Sequence, residues 1–308
     1  MHEDKRRVGL IGLGAMGHPM AACISRAGFA LTVLDADAGR TASVASELSA
    51  TAAESAADLA RQADIVVTML PNSAIVGQVL GGESGVLAGF RDGGVILEMS
   101  SGVPDVTREL ATQAAENGVT LLDAPVSGGV SRAKTGELAI MVGGPDEAFA
   151  KSEAVLAAMG KVIRTGPVGS AHAMKALNNL VSAGGFLIGI EALLIGSRFG
   201  LDPELMVDVL NASTGMNNST QKKFKQFVLS RQFDAGFGLD LMVKDLGIAM
   251  GVARATDTAA PLSGLCRDLW SGAQKWMGPG QDHTAVARFS EMLAGSELAP
   301  GAKDEPGK

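Results

Sequence analysis

The sequence predicts an α/β N-terminal half and an all-α C-terminal half, with one long helical segment between them. Three observations carry this. Short apolar runs alternate with helix-period segments from Val8 to about Arg164. An apolar helical pattern then runs from about Val168 to Arg198 with little polarity. Beyond Gly196 no strand-like run recurs.

Composition sets the bounds. The chain has 308 residues, 46% hydrophobic and 19% charged, enough for a nucleotide-binding domain and a second folded domain. Net charge is −7 and no long basic run occurs, which speaks against a nucleic-acid surface. Cys23 and Cys266 lie far apart in apolar surroundings and read as small core residues of a reducing compartment. The histidines, His2, His18, His172 and His283, form no spaced ligand set, so no metal is expected. Tyrosine is absent, which excludes the dehydrogenase design built on a tyrosine hydroxyl. The charged N-terminus leads straight into an apolar run and carries no secretory pattern. The longest apolar runs break short of the roughly 20 residues a membrane span requires. A cytoplasmic protein with no membrane partner is expected.

The elements follow in order. Val8 to Gly12 reads as a buried strand. It breaks into Gly12, Leu13, Gly14, Ala15, Met16 and Gly17, a GxGxxG, and a helix follows to Ala27 with Gly28 closing it. Leu31 to Leu34 is a second strand, ending in Asp35. Strand, glycine turn, helix and an acid about 20 residues on make the dinucleotide fingerprint of a Rossmann-type domain. Gly12 allows the tight turn, Gly14 the approach of a pyrophosphate, and Gly17 close helix packing. Asp35 accepts ribose hydroxyls and repels a 2′-phosphate. That favours NAD, with NADP possible because Arg40 stands near, and Asp37 could share the role of Asp35.

Ser55 to Gln62 is a short helix, Ile65 to Leu70 a strand ending at Pro71, and Val95 to Met99 a strand ending at Ser100 and Ser101. Parallel sheets bind ligands at such carboxyl ends, so Leu70, Pro71 and Ser101 are candidate cofactor contacts, with plain turn formation as the alternative. Val119 to Leu122 leads into Asp123-Ala-Pro-Val-Ser-Gly-Gly129. Ser127, Gly128 and Gly129 offer a hydroxyl and successive N–H groups suited to a carboxylate, or an ordinary glycine turn. Glu137 to Val142 is a further strand, Pro145 the first residue of a helix, and Lys161 to Arg164 the last strand of the domain.

Lys175 then opens the long apolar helix, with Asn178 and Asn179 at i+3 and i+4 on its face. A lysine is rarely buried without a partner or a task. Taken alone, one that caps a helix start and reaches solvent is the weightier reading.

Five blocks in order change that balance: Gly9 to Ala21, Thr68 to Pro71, Asp123 to Gly129, Lys175 to Asn179, and Lys244 to Ala249. Through them the chain, to about Leu293, resembles the β-hydroxyacid dehydrogenase family, which includes 3-hydroxyisobutyrate dehydrogenase and tartronate semialdehyde reductase. The resemblance implies that Lys175 is the general acid/base and Asn179 the substrate-positioning residue beside it. It implies that Ser127, Gly128 and Gly129 hold the substrate carboxylate. Lys244 would lie near substrate and nicotinamide, accompanied by Asp245. Leu70, Pro71 and Ser101 match cofactor contacts. Two departures stand out. Glu98-Met-Ser-Ser101 replaces the frequent Asp-x-Ser-Thr, and Ala171 replaces a glycine ahead of the lysine. His172, three residues before Lys175, could tune the lysine, contact substrate or be structural.

In the C-terminal half, Asp202-Pro203-Glu204 starts a helix that ends near Gly215. A polar loop from Ser213 to Thr220 is where substrate selectivity is expected. A basic segment with Lys222, Lys223 and Lys225 follows, then helices around Lys244, Leu262 to Met277 and Thr284 to Leu293. The expected organisation is a cofactor domain over 1–165, an interdomain helix over 166–198 and an all-α domain over 199–296. Residues 297–308 are expected to be a disordered tail. The helix would be roughly 45 Å long, and in the family it joins the halves. The family also implies a homodimer or homotetramer and a small carboxylate substrate. The expected reaction is hydride transfer between NAD and the β-hydroxyl of a small hydroxyacid. An imine reductase or reductive aminase, or a non-catalytic NAD-binding sensor, are the rivals.

Overall fold

The computed structural model describes residues 6–298. The chain divides into two compact units, 1–175 and 176–308, and the division falls inside one helix.

In the first unit the elements run β1 (Arg7–Ile11), α1 (Gly17–Arg26), β2 (Ala30–Leu34), α2 (Ala38–Leu48), β3 (Thr51–Ala52), α3 (Ala56–Arg61) and β4 (Ile65–Thr68). There follow α4 (Ser73–Leu80), α5 (Val86–Gly89), β5 (Val95–Glu98), α6 (Pro104–Glu116), β6 (Thr120–Asp123), β7 (Val126–Ser127) and α7 (Gly129–Thr135). The unit closes with β8 (Leu138–Gly143), α8 (Asp146–Met159), β9 (Gly160–Gly166) and the start of α9 (Ser170–Arg198). The strands lie in the order β3-β2-β1-β4-β5-β6-β8-β7, with β9 also on β8. From β3 to β6 every pairing is parallel. All four residues of β4 and of β5 are buried, as continuous apolar runs covered on both faces require. Alternate residues feed two cores: Leu10, Val67 and Leu97 enter one, and Ile11, Val66 and Ile96 the other.

Three local readings change. Val126–Ser127 is a short strand antiparallel to β8, where the sequence suggests only a turn. Two residues are too few to show a strand period. Pro145 is the N-cap of α8 and not its first helical residue. α9 holds an 18-residue window of mean hydropathy 1.8, long and apolar enough by composition to cross a membrane, contrary to the sequence reading of interrupted runs. Isolated polar residues lower such a window average little. Half of that window is buried within the protein, as in the core helix of a folded domain.

Among its described residues the second unit has helices as its named elements: the rest of α9, α10 (Pro203–Asn211), α11 (Asn218–Lys222), a π-helical turn (Phe224–Leu229), α12 (Leu239–Ala255), α13 (Pro261–Met277), a 3₁₀ turn (His283–Ala285) and α14 (Val286–Ala294). Its core is centred on Phe186, whose ring meets Phe224 at 5.4 Å and Trp270 at 5.9 Å. Part of the expected loop 213–220 is instead the start of α11, where Asn217 and Thr220 form a reciprocal capping box. Of the expected tail, Leu298 is fully buried in this core and Glu297 pairs with Arg231. Its remainder, 299–308, lies outside the described residues.

Candidate active site

The site's first part is built at the carboxyl end of β1. Gly12 sits at φ 97°, and a Cβ there would lie 2.2 Å from the Met69 carbonyl oxygen. A Cβ on Gly17 would lie 1.7 Å from the Gly12 carbonyl oxygen, so this turn and helix fit together only with glycine at both positions. Gly14 differs, for nothing lies within 4 Å of its would-be Cβ. The space over the turn is open, and α1 begins with no side-chain cap. Open space beside the first amides of a helix is what a pyrophosphate requires. Leu13, Ala15 and Met16 complete this turn, and the residues present fit a dinucleotide.

Asp35, just after β2, is engaged within the protein itself. Its Oδ2 accepts the Leu13 N–H at 2.7 Å and its Oδ1 the Asp37 N–H at 2.9 Å. Arg40 lies 3.2 Å from the same Oδ1. Partial burial raises this carboxyl, but the Asp37 and Leu13 amides and Arg40 outweigh it and hold it below the ordinary aspartate value. Asp35 therefore braces the glycine turn against β2. Asp35→Ala is expected to weaken NAD binding by about tenfold or more and to narrow the preference over NADP, because Arg40 is released. Dissociation constants for both dinucleotides check this, and an unchanged NAD affinity would refute the assignment.

β4 ends beside β1, and β5 beside β4. The Leu70 N–H donates to Ser100 Oγ at 2.9 Å and so ties the Leu70–Pro71 turn to the Ser100–Ser101 turn. After β6, Gly128 and Gly129 adopt φ 134° and 69°, and α7 starts there without a side-chain cap. Ser127 ends β7 immediately before them.

The start of α9 is clamped by a carboxylate that ends β6. Asp123 Oδ1 accepts the Gly169 N–H at 2.8 Å, and Oδ2 accepts those of Ala171 and His172 at 2.9 and 3.0 Å. This cap satisfies the orphan amides of a helix entering the interior. Lys175 follows one turn later and is only 7% exposed, so the solvent-reaching reading is set aside.

His172 is held from three sides. Its Nε2 lies 2.8 Å from Glu98 Oε2 and 3.0 Å from the Ser100 carbonyl oxygen. Both are acceptors, so Nε2 carries a proton. Its Nδ1 lies 2.8 Å from Thr107 Oγ1, whose hydroxyl also reaches the Val103 carbonyl oxygen at 3.0 Å. That hydroxyl can donate to Nδ1 or to Val103, so it serves imidazole and imidazolium alike with no heavy atom moved. Burial pushes Glu98 up and His172 down, but each outweighs that for the other. Glu98 lies below the ordinary glutamate value and His172 above the ordinary histidine value. Gly102 leaves room for the ring, since a Cβ there would come within 2.7 Å of His172 Cε1. With both ring nitrogens engaged, His172 holds α9 in place and does not reach for substrate.

In the second unit, Asn179 Nδ2 donates to Asp245 Oδ2 at 2.6 Å, and Asn179 Oδ1 accepts from Asn178 at 3.1 Å. Asp245 is buried on α12 with Lys244 beside it in sequence. The acid thus fixes which end of the Asn179 amide is turned to it. The roles of Glu98, Asp123 and Asp245 are not legible in the sequence. The one signal for the first two is an acid ending a buried apolar strand.

Comparison with known proteins gives the family. Residues 7–169 match the model of the NAD binding domain of 6-phosphogluconate dehydrogenase. Residues 169–290 match that of the NAD-binding domain of NADP-dependent 3-hydroxyisobutyrate dehydrogenase. The chain is 36% identical to 2-(hydroxymethyl)glutarate dehydrogenase of Eubacterium barkeri, over 97% of this chain and 99% of that protein. It is 34% identical to NAD-dependent L-serine dehydrogenase of Pseudomonas aeruginosa, over 94% and 99%. The solved 3-hydroxyisobutyrate dehydrogenase of Mycobacterium tuberculosis, with L-serine, superposes with a TM-score of 0.86 at 31% identity, covering 93% of this chain and 99% of that one. A dinucleotide turn, a buried lysine behind a carboxylate-capped helix start, and full-length relatives of this kind agree on one assignment: the chain belongs to the β-hydroxyacid dehydrogenase family and is a nicotinamide-dependent oxidoreductase.

Proposed function

We propose that the protein interconverts a small β-hydroxyacid and its semialdehyde, with Lys175 as general acid/base. The single observation that carries the role of Lys175 is its burial one turn after the Asp123 cap. The relatives named above act on 3-hydroxyisobutyrate, L-serine and 2-(hydroxymethyl)glutarate. These share one core, a hydroxymethyl group next to a carbon bearing a carboxylate, and differ in the third substituent.

The bound nicotinamide would supply the hydride acceptor, or the donor in reverse. Gly12 to Met16 and Asp35 would hold its dinucleotide, with Leu70, Pro71 and Ser101 alongside. Lys175 takes the hydroxyl proton as the carbonyl forms. To take that proton, Lys175 must present its neutral amine at the reacting atom, which its buried position allows with little competing water. Asn179, fixed by Asp245, orients the hydroxyl. Ser127 and the amides of Gly128 and Gly129 receive the carboxylate, and Lys244 adds positive charge for it. The family match favours this reading over an imine reductase or a sensor.

A cytoplasmic homodimer or homotetramer is part of the proposal. Val181, Ile188 and Ile195 recur every seven residues on α9 and are 76%, 63% and 72% exposed, which supports burial against another subunit. The test is nicotinamide absorbance with NAD and NADP over a panel of hydroxyacids sharing the core above. Turnover confined to compounds with both hydroxymethyl and carboxylate is expected. Turnover only with amines or imines would contradict it.

A further inference from the structure

The third substituent is where the chain's own chemistry is most informative. Three lysines follow α11's start, and they have different surroundings. Lys222 is exposed, and Lys225 is paired with Asp208 at 2.6 Å. Lys223 is turned inward, with its Nζ 3.5 Å from Ser182 Oγ on α9. Among the described residues no carboxylate lies within ion-pair distance of it.

Its position is fixed by the neighbours. Phe224 is fully buried against Phe186, and Gly189 makes room, since a Cβ there would lie 2.6 Å from Phe224 Cζ. At the other end of α11, Asn217 reaches the Gly185 carbonyl oxygen at 3.4 Å. Lys223 is thus fastened over one turn of α9. A π-helical turn begins directly after it, a feature that often marks functional positions.

The carboxylate that acts on Lys223 is committed elsewhere. Asp282 Oδ1 accepts from Thr284 N–H and its hydroxyl, and Oδ2 accepts the Gly236 and Phe237 N–H groups. Burial pushes the Lys223 ammonium down to about 8, against a smaller opposing pull from Asp282. A partly desolvated cation with one neutral hydroxyl beside it is a binding position for an anion.

Its place on α9 is specific. Lys175, Asn179 and Ser182 stand at i, i+4 and i+7, on one face of the helix. Ser182 lies about 4.5 Å along the axis from Asn179. We propose that Lys223 and Ser182 bind a second carboxylate, carried on the third substituent, so that the preferred substrate is a dicarboxylic β-hydroxyacid. This rests on the hydroxyacid reading above.

The test uses unreactive ligands, so that it does not depend on turnover. Glutarate and butyrate are titrated calorimetrically into the full-length, NAD-loaded protein as wild type, Lys223→Met and Lys223→Arg. Glutarate is expected to bind wild type about tenfold or more tighter than butyrate. Lys223→Met should abolish the difference, and Lys223→Arg should keep most of it. Lys223→Met should also leave the melting temperature undiminished, because it removes a partly buried charge whose desolvation outweighs the pull of Asp282. A wild-type preference near one, no glutarate binding, or a preference that survives in Lys223→Met overturns the proposal. Turnover of a monocarboxylic hydroxyacid by wild type and Lys223→Met, measured separately, tests the reading beneath it. Failure there is absence of any hydroxyacid turnover, a different result.

Discussion

Lys175→Ala is expected to lower turnover by about 10²- to 10⁴-fold, the range that positioned acid/base groups supply, while NAD binds as before. The dinucleotide turn lies at the end of β1, where the close packing of Gly12 and Gly17 shapes it. The helix start is held by Asp123 through backbone amides, so the substitution leaves that cap in place. Alanine is the best helix former and fits a position that is already buried. The loss should therefore fall on kcat, with circular dichroism and NAD affinity unchanged. Lys175→Arg should not restore activity, because a guanidinium does not give up its proton near neutral pH. Steady-state kinetics on any accepted hydroxyacid would check both. Near-normal turnover in Lys175→Ala would remove the lysine from the chemistry.

Glu98→Ala is the second large effect, and it falls on stability. The acid is buried against His172, and removing one partner of a buried pair leaves the other uncompensated, at about 3–5 kcal/mol. Glu98→Gln with His172→Gln together should cost much less, since a pair of amides can still hydrogen-bond. The pH dependence has a definite sign. Glu98 is lowered from an ordinary value of 4.5, so its contribution is full above that pH and fades as pH falls through the folded value. His172 is raised from 6.5, so its contribution is full below that pH and fades as pH rises through the folded value. The stability gap between wild type and the double glutamine variant should be widest between these two limits and shrink on either side. Denaturant titrations across that range measure it. A gap that widens steadily above the upper limit would show that His172 is not held as imidazolium.

The parts of the fold legible in the sequence are those set by local rules. β1, the glycine turn, α1 and Asp35 follow one another in sequence, and their spacing is dictated by a turn with no room for side chains. Lys175, Asn179 and Asp245 became candidates only through the family blocks. What holds them could not be read, because it is made between distant positions. Asp123 caps amides 46 to 49 residues away, and Asn179 meets Asp245 across 66. Glu98 reads in the sequence as part of a departure and His172 as a residue of open role, yet in the fold they are a single pair. Lys223 was hidden for another reason. In a run with Lys222 and Lys225 it reads as one more solvated charge, and only the anchoring of Phe224 shows which of the three turns inward.

The central claim is Lys175-dependent hydride transfer from the carbon that bears the β-hydroxyl. The most direct measurement is isotopic. A hydroxyacid accepted by the enzyme is deuterated at that carbon, incubated with NAD and either wild type or Lys175→Ala, and the cofactor is recovered for mass spectrometry. Deuterium in the reduced cofactor with wild type, and almost none with Lys175→Ala under the same conditions, is the predicted result. Reduced cofactor without deuterium, or equal labelling by both proteins, would contradict the account.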